Sequence, residues 1–344
     1  MKGARDILTV ECTLLTLTGG GTLYPTAHNT LFFVLLHRQL KVLAPHVPMR
    51  VVEAEVNATR VRHLGVVQPL GMFVEGSTVC VLFRLVAGRD LLDTLNQAGG
   101  RFPEARTRRY MWQVCSIVAA LHRGGLCHRD LKAENLVVEA ATDCVALIDF
   151  GLSKCTLVSG CATLGVGTPD YMAPEVLNLK PELARKSKYD GFAVDVWSLG
   201  VLTYVCLLGY YPFEEKTGRG EINIATSLRK ISSGQYTPLP TGVCSAECAD
   251  FIASTLSVDS RSRPRIDQLL THGWFRAGGY TPQHADSTQW PPPEPQPVAS
   301  RELTYESAPT AARALKPRRS VFNKMLGGLF WSSKKKKGSV GTFD

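Results

Sequence analysis

The pattern of apolar and polar positions divides this chain of 344 residues into two parts. In the first part, alternating and β-branched runs predict strands at 8–17, 31–36 and 79–85. Helical spacing over residues 51–63 predicts one helix among these strands. The pattern therefore predicts a strand-rich region over residues 1–86.

The second part of the chain has mostly helical spacing. From Pro103 to His122, apolar residues recur every three or four positions, which predicts an amphipathic helix with a proline in its first turn. The uncharged stretch 196–213 is long enough to cross a membrane. A helix that is apolar on all sides is also found in the core of a large domain, and Pro212 lies at the end of this one. We therefore expect a buried helix that is stopped by proline.

Composition limits the class of protein. Apolar residues make up 44% of the chain, which is enough for a sizeable core. The ten cysteines show no repeated C-x-x-C spacing, and the first residues lack the apolar run and cleavage site of a signal peptide. We expect reduced thiols and an intracellular, cytoplasmic location.

The positive charge is concentrated at the end of the chain. The net charge is +9, and residues 301–344 hold ten basic and three acidic residues. The rest is close to neutral, so we expect no specific nucleic-acid binding by the main domain. The predicted domain ends near the apolar run 269–275, and a proline-rich spacer at 290–297 precedes the basic segment. Residues 277–344 are therefore predicted to be a proline-rich, then basic tail.

The tail also carries an amphipathic pattern. Apolar residues occur at i, i+3, i+4 and i+7, at Phe322, Met325, Leu326 and Leu329. The lysines 334–337 follow them. Such a segment suits an acidic membrane surface or a calmodulin-like partner. A nuclear-localisation patch and a plain solvated tail remain open as alternatives.

Three short motifs follow one another in the second part. They are Cys127-His128-Arg129-Asp130-Leu131-Lys132-Ala133-Glu134-Asn135-Leu136, Asp149-Phe150-Gly151 and Ala173-Pro174-Glu175. Their order and intervals resemble the signature series of protein kinases. The resemblance covers roughly residues 20–276 and implies a two-lobed α+β fold. Residues 1–86 would form a small strand-rich N-lobe and residues 87–276 a larger helical C-lobe of one kinase domain.

The motifs assign chemistry to four side chains. Phosphoryl transfer needs a base near the acceptor hydroxyl, magnesium ions and positive groups around the moving charge. Asp130 is the candidate base, and Lys132 is placed to neutralise charge on the γ-phosphate. Asn135 and Asp149 offer oxygen ligands suited to Mg²⁺, and Gly151 permits the sharp turn after Asp149. The expected cofactors are ATP and Mg²⁺.

The resemblance also implies the class of substrate. A lysine at the position of Lys132 is typical of kinases that phosphorylate serine or threonine in proteins. Thr168 would hydrogen-bond this lysine and Asp130 in a substrate-docking loop. The motifs Tyr189-Asp190-Gly191 and Tyr211-Pro212-Phe213-Glu214 look most like the calmodulin-dependent and AMP-regulated kinase group.

Other expected roles are structural or regulatory. Glu175 would form a buried ion pair with Arg263, and Asp195 would hold the backbone of the catalytic loop. Thr163 is the candidate for activation by an upstream kinase. Arg129 would pair with the phosphate that such a kinase adds.

The nucleotide site follows from aligning residues 79–85 with the family. Phe83 would then be the gatekeeper, and the backbone groups of Arg84 and Val86 would face adenine. Asp90 would face the ribose, and Leu136 would pack under the base. Phe83 is also explained as an ordinary core residue.

The first part of the kinase pattern is degraded. Only Gly21 matches a glycine of the phosphate loop, and His37 occupies the position of the phosphate-binding lysine. The partner of that position on the next helix would be Glu53 or Glu55. Lys41 or Arg38 could replace the lysine, or both could be solvated surface charges.

Three interpretations of this loss are open. The chain is an active serine/threonine kinase with a rearranged N-lobe, or a pseudokinase that acts as a scaffold. The third interpretation is an error or truncation in the gene model over the first ~50 residues. The presence of Asp130, Lys132, Asn135 and Asp149 together favours the active enzyme.

Overall fold

The computed structural model describes residues 15–16, 38–43, 49–58, 61–75, 78–156, 161, 169–178, 188–215 and 222–281. Within these residues a strand-rich region precedes a helical region. The predicted two-lobed α+β architecture is thereby confirmed. The predicted boundary at residue 86 lies between the fourth and fifth strands.

The first region is built on one antiparallel sheet. Its strands are β1 (Leu15–Thr16), β2 (Arg38–Val42), β3 (Pro69–Glu75) and β4 (Thr78–Arg84). Their order is β1-β2-β4-β3, so β4 is paired on both sides. The predicted strand 79–85 corresponds to β4, the run 8–17 meets β1 at its end, and the run 31–36 lies outside the described residues.

One helix packs with this sheet. Helix α1 (Met49–Asn57) is shorter than the predicted 51–63, and Val61 already lies in irregular backbone whose amide donates to the Ala58 carbonyl. Beside the sheet lies a small apolar cluster, formed by Leu43, Val52, Val67, Val81, Phe83, Val86 and Ala146. This small N-terminal core supports the strand and helix that face the cleft.

The second region has a much larger core around two long helices. These are α3 (Glu104–Arg123) and α5 (Gly191–Leu208), which pack against each other. Pro103 is the N-cap of α3, one position before the predicted first turn. Its fixed backbone angle therefore starts the helix from outside.

Helix α5 is the one described helix with the length and apolar composition of a membrane span, and 89% of its span is buried inside the protein. The prediction of a buried core helix is confirmed. Its predicted stop at proline was wrong. The helix ends at Leu208, and its C-cap Gly209 adopts a left-handed φ of 74°. A side chain at Gly209 would meet the Gly100 carbonyl at 2.2 Å, so only glycine fits there.

Shorter helices complete the second region. They are α2 (Leu91–Gln97), α4 (Pro174–Leu177), α6 (Ile224–Ser233), α7 (Ala246–Thr255), α8 (Ile266–Leu270) and α9 (Gly273–Ala277). Trp274 and Phe275 of α9 are fully buried and contact Phe251 of α7. These buried rings belong to the large core of the helical region. Most of the predicted tail, from residue 282 onward, lies outside the described residues.

Five short strands place the motif residues. Strands β5 (Gly88–Asp90), β7 (Leu136–Glu139) and β8 (Val145–Leu147) form one sheet, and β6 (Leu126–Cys127) pairs with β9 (Lys154–Cys155). The loop with Asp130 connects β6 to β7, and Asp149 lies between β8 and β9. Both motifs therefore lie on connections between short strands.

Candidate active site

Asp130 is held by two neighbours from its own loop. The Nζ of Lys132 donates to Asp130 Oδ2 at 2.7 Å. The Nδ2 of Asn135 donates to the Asp130 carbonyl at 2.8 Å and to Oδ2 at 3.2 Å. The three predicted side chains thus converge on one point.

The backbone of this loop is anchored by Asp195, as predicted. Its carboxylate is fully buried and accepts the amides of His128 at 2.9 Å and Arg129 at 2.8 Å. His122 Nε2 lies 2.9 Å from the same carboxylate. Arg129 has a φ of 66°, which is costly for a residue with a side chain, so these bonds stabilise a strained turn.

The turn at Asp149 differs from the prediction. The left-handed angle belongs to Asp149 itself, with a φ of 63°, and Gly151 is not in that region. The glycine has another function. A Cβ at Gly151 would lie 3.1 Å from Glu55 Oε1 and 3.3 Å from Asp149 Oδ1. Glycine therefore gives room for two carboxylates to approach.

Lys41 connects the two regions. It lies on β2 and forms an ion pair with Glu55 of α1. Its Nζ also donates to Asp149 Oδ1 at 2.9 Å. Glu55 is fully buried, and its Oε2 accepts the amide of Phe150 at 3.3 Å. A cation, a carboxylate on a helix and the metal-ligand candidate therefore meet in one cluster.

This cluster corrects the assignment of the lysine position. The sequence register gave that position to His37, which lies outside the described residues. The ion pair with Glu55 is made by Lys41, four residues later. The missed signal is the local pattern around Lys41, since Leu40 and Val42 flank it in a strand that pairs with β4. Glu55, rather than Glu53, is confirmed as the partner on the helix.

The pKa values of the two acids in this cluster are shifted in opposite directions. Burial raises the pKa of Asp149, but the charge and hydrogen bond of Lys41 outweigh burial, and the pKa is lowered to about 2. Burial raises the pKa of Glu55 above its ordinary value of 4.5, although Lys41 opposes this shift. Asp149 is therefore firmly ionised, while Glu55 depends on Lys41 for its charge.

Phe150 packs under this cluster. Its side chain is fully buried, and its ring meets that of His128 edge-on with centroids 5.2 Å apart. Ser153 Oγ donates to the Ala54 carbonyl at 3.1 Å, which ties the same segment to α1. The segment after Asp149 is thus packed against both regions.

The predicted nucleotide residues lie around the strand β4 and its continuation. Phe83 and Val86 belong to the small N-terminal core, and Leu136 is fully buried on β7. Asp90 also has a structural function, since its Oδ1 accepts the Asp93 amide at 2.7 Å and caps α2. The contacts of these residues with a nucleotide stay predictions.

Two charged residues have protein partners that the sequence did not specify. Arg84 Nη1 lies 3.5 Å from Glu139 Oε1 at an exposed position. Arg129 donates from Nε to the Leu152 carbonyl at 2.8 Å and from Nη1 to the Tyr189 hydroxyl at 3.3 Å. Arg129 is therefore already bonded to the segment that follows Asp149.

Four predicted residues cannot be placed. Gly21, His37, Thr163 and Thr168 lie outside the described residues. Their assignments to the phosphate loop, the lysine position, the activation site and the substrate loop stay predictions.

The predicted ion pair below the site is present. Arg263 donates to both carboxylate oxygens of Glu175, at 2.7 and 2.8 Å. The same guanidinium donates to the Ala193 carbonyl at 2.9 Å and lies 5.0 Å from the centre of the Trp197 ring. The paired geometry links the Ala-Pro-Glu segment to α5 and the end of the domain.

Comparison with known proteins agrees with this geometry. The family model described as protein kinase domain matches residues 46–275. Serine/threonine-protein kinase SRK2F of Arabidopsis thaliana is 33% identical over 225 residues, which cover 65% of this chain and 61% of the relative. Serine/threonine-protein kinase SAPK4 of Oryza sativa subsp. japonica is 33% identical, covering 64% of this chain and 59% of the relative.

A third relative has a more specific name. CBL-interacting serine/threonine-protein kinase 13 of Arabidopsis thaliana is 35% identical over 64% of this chain and 41% of its own length. The chain spans about three fifths of the length of the first curated relatives, SRK2F among them. The matched family region starts after Lys41, which only the structure locates. The resemblance to serine/threonine protein kinases is thus confirmed, and the chain belongs to the protein kinase domain family.

Proposed function

We propose that this chain is a protein kinase that transfers the γ-phosphate of ATP to serine or threonine hydroxyls of proteins. The observation that carries the proposal is the contact of Lys41 with both Glu55 and Asp149, beside the cluster of Asp130, Lys132 and Asn135. Lys41 of the strand-rich region is therefore in direct contact with Asp149 of the helical region. Catalysis of phosphoryl transfer depends chiefly on such positioning and charge.

Asp130 orients the acceptor hydroxyl and takes its proton. Its hydrogen bonds to Lys132 and Asn135 fix the plane of the carboxylate before a substrate arrives. Lys132, at 2.7 Å from Asp130, brings a positive charge to the place where the hydroxyl meets the phosphate. The lysine therefore stabilises negative charge that develops during transfer.

The donor atoms fit a magnesium ion. Asp149 contributes an ionised carboxylate whose side chain is 45% exposed, and Asn135 contributes an amide oxygen. Hard oxygen ligands of this kind are those that Mg²⁺ takes from proteins, with phosphate oxygens supplying others. Bound Mg²⁺ would neutralise charge on the phosphates. Lys41 would bind the same phosphates from the opposite side of the cleft.

The ATP base would lie against the apolar side chains of Val86 and Leu136, with Phe83 behind them. The backbone of Arg84 and Val86 would meet adenine, and Asp90 the ribose. Gly21 would approach the phosphates. These contacts belong to the proposal and follow the family resemblance.

The choice of serine and threonine rests on two observations. Lys132 is in contact with Asp130, as in the serine/threonine pattern, and the three relatives above carry that specificity in their names. Thr168 would complete the pattern in the substrate loop. The pseudokinase alternative rested on the degraded phosphate loop and on a missing lysine, and the ion pair of Lys41 removes the second premise.

Regulation and location extend the proposal. An upstream kinase would phosphorylate Thr163, and the basic tail would bind an acidic membrane surface or a calmodulin-like partner. We place the protein in the reducing cytoplasm, with nuclear or membrane-peripheral location through the tail as alternatives. Support comes from the nine described cysteines, none of which forms a disulfide.

A phosphorylation assay tests the proposed activity. Labelled ATP and Mg²⁺ are supplied with a serine/threonine peptide mixture or a tyrosine peptide mixture. We expect label on serine or threonine only, and a loss of about 10²–10⁴-fold in Asp130→Asn with an unchanged melting temperature. The exposed Asp267→Asn is the matched control. Equal rates in the wild type and Asp130→Asn would contradict the proposal.

A further inference from the structure

Two cysteines far apart in the sequence have their sulfurs in contact. Cys127 ends β6, directly before His128, and Cys161 lies in the segment after Asp149. Their Sγ atoms are 3.6 Å apart, and both residues are fully buried. Neither thiol has a function in the proposed chemistry.

The backbone holds both sulfurs in place. Cys127 pairs with Lys154 between β6 and β9. The backbone amide of Cys161 donates to the Tyr189 carbonyl at 3.3 Å, and the Cys161 carbonyl accepts the Tyr189 amide at 2.8 Å. Each thiol is therefore positioned by backbone pairing of its own segment, with Lys154 for Cys127 and with Tyr189 for Cys161.

Gly191 provides the space for this contact. It is the first residue of α5, and a Cβ there would lie 2.5 Å from Cys127 Sγ and 2.9 Å from Cys161 Sγ. Real Cβ atoms do not approach sulfur so closely, so any larger residue would push the thiols away. Two sulfurs thus share a slot that only a glycine leaves open.

The pair differs chemically from the cysteines of the core. Burial raises the pKa of Cys206 to about 12. In Cys161 the sulfur–sulfur hydrogen bond with Cys127 outweighs burial, the charges of Arg129 and Lys154 assist, and the pKa of the Cys161 thiol is lowered to about 7. The pKa of Cys127 is raised by its bond to Cys161 and by burial. Cys161 is thus the member of the pair that loses its proton more readily, and Cys127 is the member that keeps it.

We propose that Cys127 and Cys161 are an oxidation site, which forms a reversible disulfide when the protein meets hydrogen peroxide. The Cys161 thiolate attacks one peroxide oxygen, the O–O bond breaks, and the released hydroxide takes a proton to become water. Cys127 then attacks the sulfur of the resulting sulfenic acid. The S–S bond forms, the S–O bond breaks, and a second water leaves with the thiol proton.

The disulfide would change the geometry of the catalytic loop. Closing the sulfurs from 3.6 Å to a bond of about 2.0 Å requires a combined movement of about 1.6 Å, shared between the two side chains and the backbone that carries them. Cys127 is bonded to His128, whose amide is fixed by Asp195. A displacement near 1 Å in such a site can lower a rate by about 10²-fold. This consequence rests on the proposed kinase function, whereas the disulfide itself does not.

Peptide mapping tests the disulfide without reference to activity. The native full-length chain is treated with a small excess of hydrogen peroxide, its remaining thiols are alkylated, and the digest is analysed by mass spectrometry. We expect a Cys127–Cys161 linked peptide that disappears with reductant and is absent in Cys161→Ser. The control is Cys155→Ser, which removes the thiol next to β6 and should leave the link intact. Alkylation of both Cys127 and Cys161 after peroxide would overturn the proposal.

Activity supplies the second arm. We expect peroxide to lower the phosphorylation rate of the wild type at least about tenfold, with recovery in reductant, and to leave Cys161→Ser unchanged. A linked peptide without a loss of rate would overturn the regulatory consequence alone. A reduced wild type with no activity would overturn the proposed kinase function, while the mapping would still decide the disulfide.

Discussion

The two regions hold their parts of the site in different ways. In the helical region, Asp130 and Asn135 lie on a loop whose backbone is bonded to the buried Asp195, above a large core. In the strand-rich region, Lys41 lies on a five-residue strand beside a core of seven buried residues. Its position in the cleft depends on Glu55 and Asp149.

This difference has a consequence for mutation. A change at Asp195 removes bonds that serve both the fold and the loop, so stability and activity should fall together. A change at Lys41 removes a largely buried cation, and Glu55, whose pKa burial already raises, can then take up a proton, so activity should fall with little loss of stability. The catalytic half is thus preorganised by its fold, while the nucleotide half is assembled by one ion-pair cluster.

The largest loss of stability is expected from Arg263→Ala. The change leaves Glu175 and the Ala193 carbonyl without their buried donor, which typically costs about 3–5 kcal/mol. For a domain of this size the melting temperature should fall by about 6–20 °C. The exposed Arg261→Ala is the control, and thermal unfolding is the measurement. A fall equal to that of Arg261→Ala would show that the pair does not stabilise the helical region.

Asp195→Asn should lower stability and rate together. The amide group turns one acceptor into a donor, so the His128 or Arg129 amide loses its partner at a cost of about 1–3 kcal/mol. The same loss loosens the loop of Asp130, and we expect a rate lower by roughly 10–100-fold. Unfolding and phosphorylation are measured on one preparation. A lower rate with unchanged stability would contradict the coupling proposed for this region.

A smaller effect is expected from pH. Because burial raises the pKa of Glu55, its carboxylate takes a proton above pH 4.5 as the pH falls, and Lys41 loses its partner. We expect kcat/KM to decline in acid with an apparent pKa above 4.5, and Glu55→Gln to lack this limb.

The effect of Glu55 on folding stability has the opposite pH dependence. A raised pKa means that the folded state binds this proton more tightly than the unfolded chain, so the carboxyl favours folding as the pH falls. Circular dichroism at each pH separates the two effects. A wild-type profile that is flat down to pH 4.5 would contradict the function assigned to the Glu55 ion pair.

The sequence predicted the helical region well because its signals are local. Asp130, Lys132 and Asn135 fall within six residues, and the structure brings them together as predicted. The apolar spacing of α3 and α5 extends over about five turns each, which is long enough to fix both helices. Glu175 and Arg263 are distant in sequence, yet the family resemblance paired them correctly.

The strand-rich region was less predictable for a physical reason. A strand of five residues has too few positions to fix its register, and a shift of four residues keeps the same alternation. His37 and Lys41 therefore fitted equally until the contact with Glu55 chose between them. The contact of Cys127 with Cys161 depends on tertiary packing and left no sequence signal. The cap made by Asp90 is local, and an Asp directly before an apolar helix is a start signal that the sequence prediction missed.

The most direct test compares Lys41→Met with His37→Ala in the same phosphorylation assay. The account predicts that Lys41→Met loses about 10²–10³-fold in rate while its melting temperature stays near that of the wild type. His37→Ala should keep the wild-type rate. The reverse result, with activity lost in His37→Ala and kept in Lys41→Met, would contradict the assignment of Lys41 and the site built around it.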